Sequence, residues 1–407
     1  MNIEINKIKL EYSKILEEYL GKTETDDLIN NVFSEYLTDA IKSKEIALIN
    51  FSNSFKIRSV IDRIITSTEA IIPIKKHIQL LLNLAKISLN RGDLFLSSDI
   101  YSQILLRTTN MDKFKNEAAF ALIGLSEVSS LQAKWNESFG YVRKAKKIFE
   151  NLNNMKGVAR CENILGTFYA ERGVLDSARQ NFESGLEKLK GKNSDNLDAL
   201  ILINLGILNS IVGEVKEAEK NYRKALSKFE KANDLNRIAS THHNLGMLFS
   251  KMGNYESALE EFNTSVDKSN EDKNLITLAI SYLGKAYIYA EKNELELASE
   301  FAEQSMNISN QINDRLTIAD IYRVKGIIER KSQKYNLSES YLLTSLRINS
   351  ELGNKLNYAE TAYELGVLYL ASNQTQSANK YLDTALKYYK KIKSVSEIKK
   401  IESLLTK

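Results

Sequence analysis

Small residues recur at a fixed spacing of 40 along most of this chain of 407 residues. One series contains only alanine, at Ala119, Ala159, Ala199, Ala239, Ala279, Ala319 and Ala359. A second series, seven residues later, holds Ser126, Gly166, Gly206, Gly246, Ala286, Gly326 and Gly366. Two further series, beginning at Ser138 and Ala145, also hold only Ala, Gly and Ser. Because helices that cross closely need small side chains at the contact, the spacing predicts stacked helical hairpins of about 40 residues.

Large apolar residues, helix caps and turns follow the same spacing. The large residues that we expect to fill the space between helices include Val142, Phe182, Tyr222, Phe262, Leu342 and Leu382. The predicted helix N-caps are Asn154, Ser194, Asp234, Asn274, Asp314 and Asn354. The residues predicted to form the turn inside each hairpin are Gly173, Gly213, Gly253, Asn293, Gln333 and Asn373. With one proline and 17 glycines, the composition also favours an all-α fold.

Several of these segments resemble tetratricopeptide repeats of the longer kind. They are Asn204–Gly206, Asn244–Gly246, Gly253–Ala258 and Tyr222–Leu226. The resemblance covers residues 78–398 and implies a right-handed superhelix, or α-solenoid, of about eight helix-turn-helix units. The units are expected to start near residues 78, 119, 159, 199, 239, 279, 319 and 359.

The two ends of the chain lie outside this repeat. Residues 1–77 are expected to form an N-terminal helical bundle or cap, with a boundary near Pro73, because solenoid ends must be covered. In this segment Ile8, Tyr12, Ile15, Leu16 and Tyr19 share one helix face, and Thr25–Asp27 is expected to cap a second helix. Residues 399–407 are expected to extend the final helix as the other cap.

The sequence lacks the patterns of common active sites and metal sites. Gly21–Thr23 has the end of a phosphate-binding loop, but Leu16 stands where that loop requires a glycine. Of the three histidines, His77, His242 and His243, none is paired at the i, i+4 spacing of a helical metal site. The single cysteine, Cys161, is expected to be a buried bystander. We therefore expect no enzyme activity, no cofactor and no metal.

Charge and hydropathy limit the partners and the compartment. The chain has 56 basic and 52 acidic residues, a near balance that gives no reason to expect nucleic-acid binding. The lysines between Lys387 and Lys400 are expected on the wet face of a capping helix, opposite an apolar stripe of Tyr388, Ile392, Val395 and Ile398. No segment approaches 18 uncharged apolar residues, so we expect no membrane span. A cytoplasmic location is expected, since a single cysteine suits a reducing compartment.

The resemblance also implies which residues face a ligand, because the first helix of each unit lines the concave groove in this family. On that basis the peptide-binding residues are Asn163, Asn204, His243, Asn244, Met247, Leu283, Tyr287, Arg323 and Tyr363. An asparagine carboxamide both donates and accepts hydrogen bonds, so repeated asparagines can hold a peptide backbone. The alternative for Asn163, Asn204 and Asn244 is that they bond to backbone groups within their own repeats.

Two functions follow from these expectations. The first is a non-enzymatic scaffold or adaptor that binds a peptide or helix of a partner protein in the groove. The second is a peptide-responsive signalling regulator, because an N-terminal helical bundle followed by repeats resembles the layout of bacterial regulators of the Rap type. In either case, uncovered apolar ends of the solenoid would allow homo-oligomers to form.

Overall fold

The computed structural model describes residues 2–42, 54–109, 111–132, 134–191, 193–194 and 196–406. These residues form α-helices joined by turns, and no β-strand occurs among them. The chain divides into two compact units, Met1–Leu165 and Gly166–Lys407. The prediction of an all-α fold is therefore confirmed.

Within its described residues, the N-terminal unit holds seven complete helices and a 3-10 turn at Asp112–Phe114. The helices are α1 (Asn2–Leu20), α2 (Lys22–Lys42), α3 (Ser54–Ile71), α4 (Ile74–Asn90), α5 (Leu94–Thr108), α6 (Lys115–Leu131) and α7 (Trp135–Asn151). The next helix, α8 (Met155–Glu171), contains the boundary between the two units.

One continuous core joins the first six helices of the N-terminal unit. It runs from Tyr12 and Leu16 of α1 through Ile61 of α3 and Leu81 of α4 to Ala121 of α6. Pro73 lies directly before α4, inside the chain segment that shares this core. The first helices and the first predicted hairpin units therefore pack as one body, whereas a domain boundary near Pro73 stays a sequence prediction.

The start of the second helix differs from the expectation. Helix α2 begins at Lys22, directly after Gly21, whose positive φ of 83° ends α1. Thr25 is buried inside α2 and does not cap it. The capping interpretation was wrong because Gly21, four residues before Thr25, already separates the two helices. The side chain of Ile8 lies outside the described residues.

The C-terminal unit is a series of helical hairpins followed by one last helix. Its helices are α9 (Leu175–Leu189), α10 (Leu197–Val212), α11 (Val215–Lys231), α12 (Leu235–Lys251), α13 (Tyr255–Asp272), α14 (Leu275–Glu291), α15 (Leu295–Gln311), α16 (Arg315–Lys331), α17 (Tyr335–Glu351), α18 (Lys355–Ala371), α19 (Thr375–Lys391) and α20 (Val395–Leu405). In each hairpin the even-numbered helix comes first and the odd-numbered helix second.

The turns and most of the caps are confirmed. All six predicted turn residues have positive φ, between 58° at Asn373 and 91° at Gly213. The side-chain oxygens of five predicted N-caps accept a backbone N–H of the following helix, at Asn154, Asp234, Asn274, Asp314 and Asn354. Ser194 differs, because its hydroxyl donates to Asp198 at 2.6 Å and Asn196 takes the cap position of α10.

Register glycines in the first helices receive large side chains from the second helices. A methyl group on Gly166 would lie 2.5 Å from the ring of Phe182, and one on Gly366 would lie 2.6 Å from Leu382. Both large residues are buried. The glycine therefore provides the space that the large residue of the same hairpin fills.

Phe262 of α13 occupies such a space on two sides. Its ring lies against Gly246 of α12 and against Gly284 of α14. The next hairpin has the opposite arrangement, because Ala286 stands at the register position and Ala302, sixteen residues later, replaces the large residue. A larger residue at the register position thus goes with a smaller residue sixteen positions later.

Replacing Gly246 by alanine tests this packing. The added methyl group would lie 2.7 Å from the ring of Phe262, and Gly284 on the other side leaves the ring no room to move. We expect Gly246→Ala to lower the free energy of unfolding by about 2 kcal/mol, in spite of the higher helix propensity of alanine. Urea unfolding followed by circular dichroism measures this change.

Gly140 provides the matched control, because it lies inside α7 with open space where a methyl group would go. Gly140→Ala is expected to raise the free energy of unfolding by up to about 1 kcal/mol. Equal effects of the two substitutions would contradict the packing argument.

Candidate functional site

The first helices of the hairpins carry most of the predicted ligand-binding residues, at equivalent positions 40 residues apart. On α10 and α12 each asparagine is followed one turn later by an exposed apolar residue. Ile207 follows Asn204 and is 39% exposed, and Met247 follows Asn244 and is 48% exposed. We call these four residues the amide face. It combines hydrogen-bonding amides with apolar surface, which is the composition that a peptide site needs.

The three asparagines differ in their surroundings. Asn163 lies on α8 within the N-terminal unit, whereas Asn204 and Asn244 lie in the C-terminal unit. Asn163 and Asn204 both interact with other groups of the protein. Within the described residues Asn244 has no such protein partner, and its side chain is half-buried. The alternative of bonding within the repeats thus remains open for Asn163 and Asn204.

His243 lies in the contact between two neighbouring first helices. Its Nδ1 is 3.4 Å from the hydroxyl of Ser281 on α14, and its ring is 5.5 Å from that of Phe262. Burial lowers the pKa of His243 to about 4, because the surrounding protein excludes the water that would solvate a charged ring. His243 is therefore neutral near pH 7 and serves packing between repeats.

Leu283 and Tyr287 of α14 are less accessible than the sequence suggested. Leu283 is buried in an apolar cluster with Ile321 and Val324 of α16, so little of its side chain is accessible to a ligand. Tyr287 is half-buried, and burial together with nearby Glu364 raises the pKa of its hydroxyl.

Arg323 belongs to a network of charged side chains on α16 and α18. It pairs with Asp320 at 3.3 Å and with Glu360 at 3.0 Å. Arg330 lies two helical turns after Arg323, and its guanidinium donates to the carboxylate of Glu364 at 2.9 Å. The buried Nε atoms of both arginines have no hydrogen-bond partner within the described part of the chain. We call Asp320, Arg323, Arg330, Glu360 and Glu364 the charged network.

Burial and mutual pairing set the protonation within this network. Burial raises the pKa of Asp320 to about 6, although Arg323 opposes the shift. Burial also acts against the charge of Arg323, but Glu360 and Asp320 outweigh it and keep its pKa above the usual value. Asn357 supports the pair, because its amide donates to both oxygens of Asp320 at 2.9 Å.

Tyr363 lies beneath the last helix of the chain. The Nζ atom of Lys400 is 4.5 Å from the centre of the Tyr363 ring, and Ile398 and Ile401 pack in the same apolar cluster. The predicted exposure of the lysines between Lys387 and Lys400 is confirmed, but sequence reasoning missed the contact of Lys400 with Tyr363. The available signal was Ser394 and Glu397, a helix-start pattern, followed by the amphipathic spacing of Ile398, Ile401 and Leu405.

Among the residues that the structure describes, no group of three or more His, Cys, Asp or Glu side chains is arranged to hold a metal ion. In the same residues, no helix combines the length and the apolar character that crossing a bilayer requires.

Comparison with known protein families decides the nature of the repeats. Residues 237–311 and 317–391 match the family model described as tetratricopeptide repeat. The chain contains tetratricopeptide repeats. Each matched segment covers two first helices and two second helices, from α12 to α15 and from α16 to α19. A comparison with curated protein sequences gives no match.

Solved structures extend the likeness in fold beyond these tetratricopeptide repeats. A Rap protein complexed with competence and sporulation factor superimposes with a TM-score of 0.59 at 11% identity, over 81% of this chain and 97% of the other. The apo quorum sensor NprR from B. thuringiensis gives 0.58 at 13%, over 88% and 98%. The Rap conjugation gene regulator of plasmid pLS20, in complex with the Phr* peptide, gives 0.58 at 14%, over 79% and 97%. At these identities the likeness is one of fold.

The burial of His243 among the tetratricopeptide repeats predicts a pH dependence of stability. Between pH 6.5 and about 4 the unfolded chain binds a proton at this histidine and the folded chain does not, so stability falls as the pH falls. The full shift corresponds to a loss on the order of 3 kcal/mol. Comparing the urea unfolding of wild type and His243→Gln at pH 7 and pH 4.5 should show a smaller loss in the variant. An equal loss in both proteins would show that His243 titrates normally.

Proposed function

We propose that the protein is a non-enzymatic interaction protein that binds a peptide or a helix of a partner on the inner face of its repeats. The observation that carries this proposal is the amide face, in which adjacent repeats each place a carboxamide beside an exposed apolar side chain. Carboxamides can hold a peptide backbone whatever its side chains, and Ile207 and Met247 can receive apolar anchors.

The ligand class follows from the chemistry of the two surfaces together. The charged network pairs its two arginines with three carboxylates, so it offers no excess positive charge that would attract nucleic acid. The amide face is neutral and partly apolar. A polypeptide segment with at least one apolar side chain is the ligand that suits both properties. We expect this binding to take place inside the cell.

The test is the removal of both amides. Peptides of twelve residues are first selected against the full chain from a displayed library. We expect Asn204→Ala/Asn244→Ala to weaken binding of a selected peptide about ten- to hundred-fold, because two hydrogen-bonding groups are lost. Fluorescence anisotropy measures the affinity, and circular dichroism verifies that the helix content is unchanged.

Asn263 and Asn307 supply a matched control, since both are exposed on second helices of the same unit. Asn263→Ala/Asn307→Ala should bind the selected peptide like wild type. If the two double variants bind equally well, the amide face is not the peptide site.

A second function, a peptide-responsive regulator, is supported by the likeness in fold to a Rap protein and to the Rap regulator of pLS20, which are described with a bound factor or peptide. In such a regulator, the ligand would change the pitch of the repeats. Small-angle scattering of the full chain with saturating selected peptide should then show a smaller radius of gyration than without it. An unchanged radius would favour the scaffold.

A further inference from the structure

The last helix of the chain, α20, is not a continuation of the helix before it. A turn at residues 392–394 separates it from α19, and Lys393 in that turn has a positive φ of 56°. Ile401 is completely buried, and Leu404 and Leu405 are half-buried against the same cluster. Residues 399–407 are expected from the sequence to extend the final helix, but residues 399–405 belong to a separate helix that packs back onto the unit.

The apolar contacts of α20 join distant parts of the C-terminal unit. One cluster contains Ile401 of α20, Tyr363 of α18 and Tyr389 of α19 together with Leu175 of α9 and Ile211 of α10. Residues about 200 positions apart in the chain therefore share a core. In repeat arrays, each repeat ordinarily contacts its neighbours, so this contact is an addition to the repeat packing.

Polar contacts fasten the turn before α20 to the first hairpins of the unit. The hydroxyl of Ser394 donates to the backbone carbonyl of Ile211 at 2.9 Å, and Lys391 Nζ donates to that of Arg172 at 3.1 Å. Both carbonyls lie at the ends of first helices, where they lack partners within the helix. Lys393 adds an ion pair with Asp176 at 2.9 Å.

Ser394 contacts a distant helix and does not cap its own helix. It stands three residues before Glu397, the arrangement of a capping box, yet its side chain makes no capping hydrogen bond. The hydroxyl donates to the backbone carbonyl of Ile211 on α10, and Glu397 Oε1 lies 3.8 Å from Lys251 Nζ of α12. The start of α20 is thus stabilised by other repeats and would lose this support on release.

The docked helix is held by few strong contacts. It spans only 11 residues, which is too short for a stable helix on its own. The Lys393–Asp176 pair is largely exposed to solvent, at 75% and 88%, and such pairs contribute little. The main contact is the burial of Ile401, with Lys400 placed over the ring of Tyr363.

We propose that α20 is an exchangeable occupant of the surface that it covers, and that this surface also accepts an amphipathic helix of a partner. The pattern that fits is that of α20 itself, with apolar residues at the positions of Ile398, Ile401 and Leu405 and a cation over Tyr363. Release of α20 would also free the fastened first hairpins. Competition with a partner rests on the proposed function, whereas exchange of α20 does not.

The probe for this proposal is a labelled synthetic peptide of residues 394–407, titrated against the full chain. In wild type the attached helix competes at the high effective concentration of an intramolecular partner. Ile401→Asp places an unpaired charge in the cluster and releases α20 in the chain. We expect the probe to bind this variant at least ten-fold more tightly than wild type. Val395→Asp changes an exposed residue of the same helix and should behave like wild type.

Hydrogen exchange of residues 395–405 in the same proteins gives a second measurement. We expect faster exchange in Ile401→Asp, and also in wild type with excess probe. Should Ile401→Asp fail to fold, Lys391→Ala/Lys393→Ala removes only surface contacts and is expected to raise the exchange of α20 two- to five-fold. Equal probe binding by wild type and Ile401→Asp, or exchange unaffected by either change, would overturn the proposal.

The two proposals fail separately. If a library-selected peptide depends on Asn204 and Asn244 but leaves the exchange of α20 unchanged, then the proposed function stands and competition by α20 falls. If α20 exchanges with the probe while no selected peptide depends on the amide face, then the exchange of α20 stands and the proposed function falls.

Discussion

Contact between a glycine on one helix and a large buried side chain on the next determines the geometry of the C-terminal unit. Gly246 and Gly284 enclose the ring of Phe262, and Gly366 receives Leu382 in the same way. Where the glycine becomes Ala286, the facing residue shrinks to Ala302. Because protein interiors are close-packed, the helix separation follows from these volumes, and every other feature of the unit depends on it.

This regular packing places equivalent residues of successive repeats side by side, so one surface can vary in chemistry along its length without a change of fold. At α10 and α12 the first helices present amides and exposed apolar groups. At α16 and α18 they present paired charges, with buried Nε atoms on Arg323 and Arg330 that have no hydrogen-bond partner among the described residues. A repeat architecture thus supplies a scaffold on which a recognition site is built residue by residue.

Helix α20 adds contacts between distant repeats, which a simple repeat array lacks. Contacts between neighbouring repeats alone give a structure whose ends are independent of each other. Here Ser394, Lys391 and Ile401 connect the end of the chain to Ile211, Arg172 and Leu175 near the start of the C-terminal unit. Stability and shape of this unit therefore depend on a contact that covers part of the surface proposed to bind partners.

Local signals in the sequence determined the repeat length, the turns and most of the caps, because a positive φ, an N-cap hydrogen bond and a helix crossing each depend on residue type within a few positions. Ser194 and Thr25 differ from these predictions, because Asn196 stands at the cap position of α10 and α2 already begins at Lys22. Only the tertiary structure decided that Leu283 packs against α16, that His243 lies against Ser281, and that α20 lies over Tyr363. Those outcomes depend on side chains from distant segments, whose approach no local pattern records.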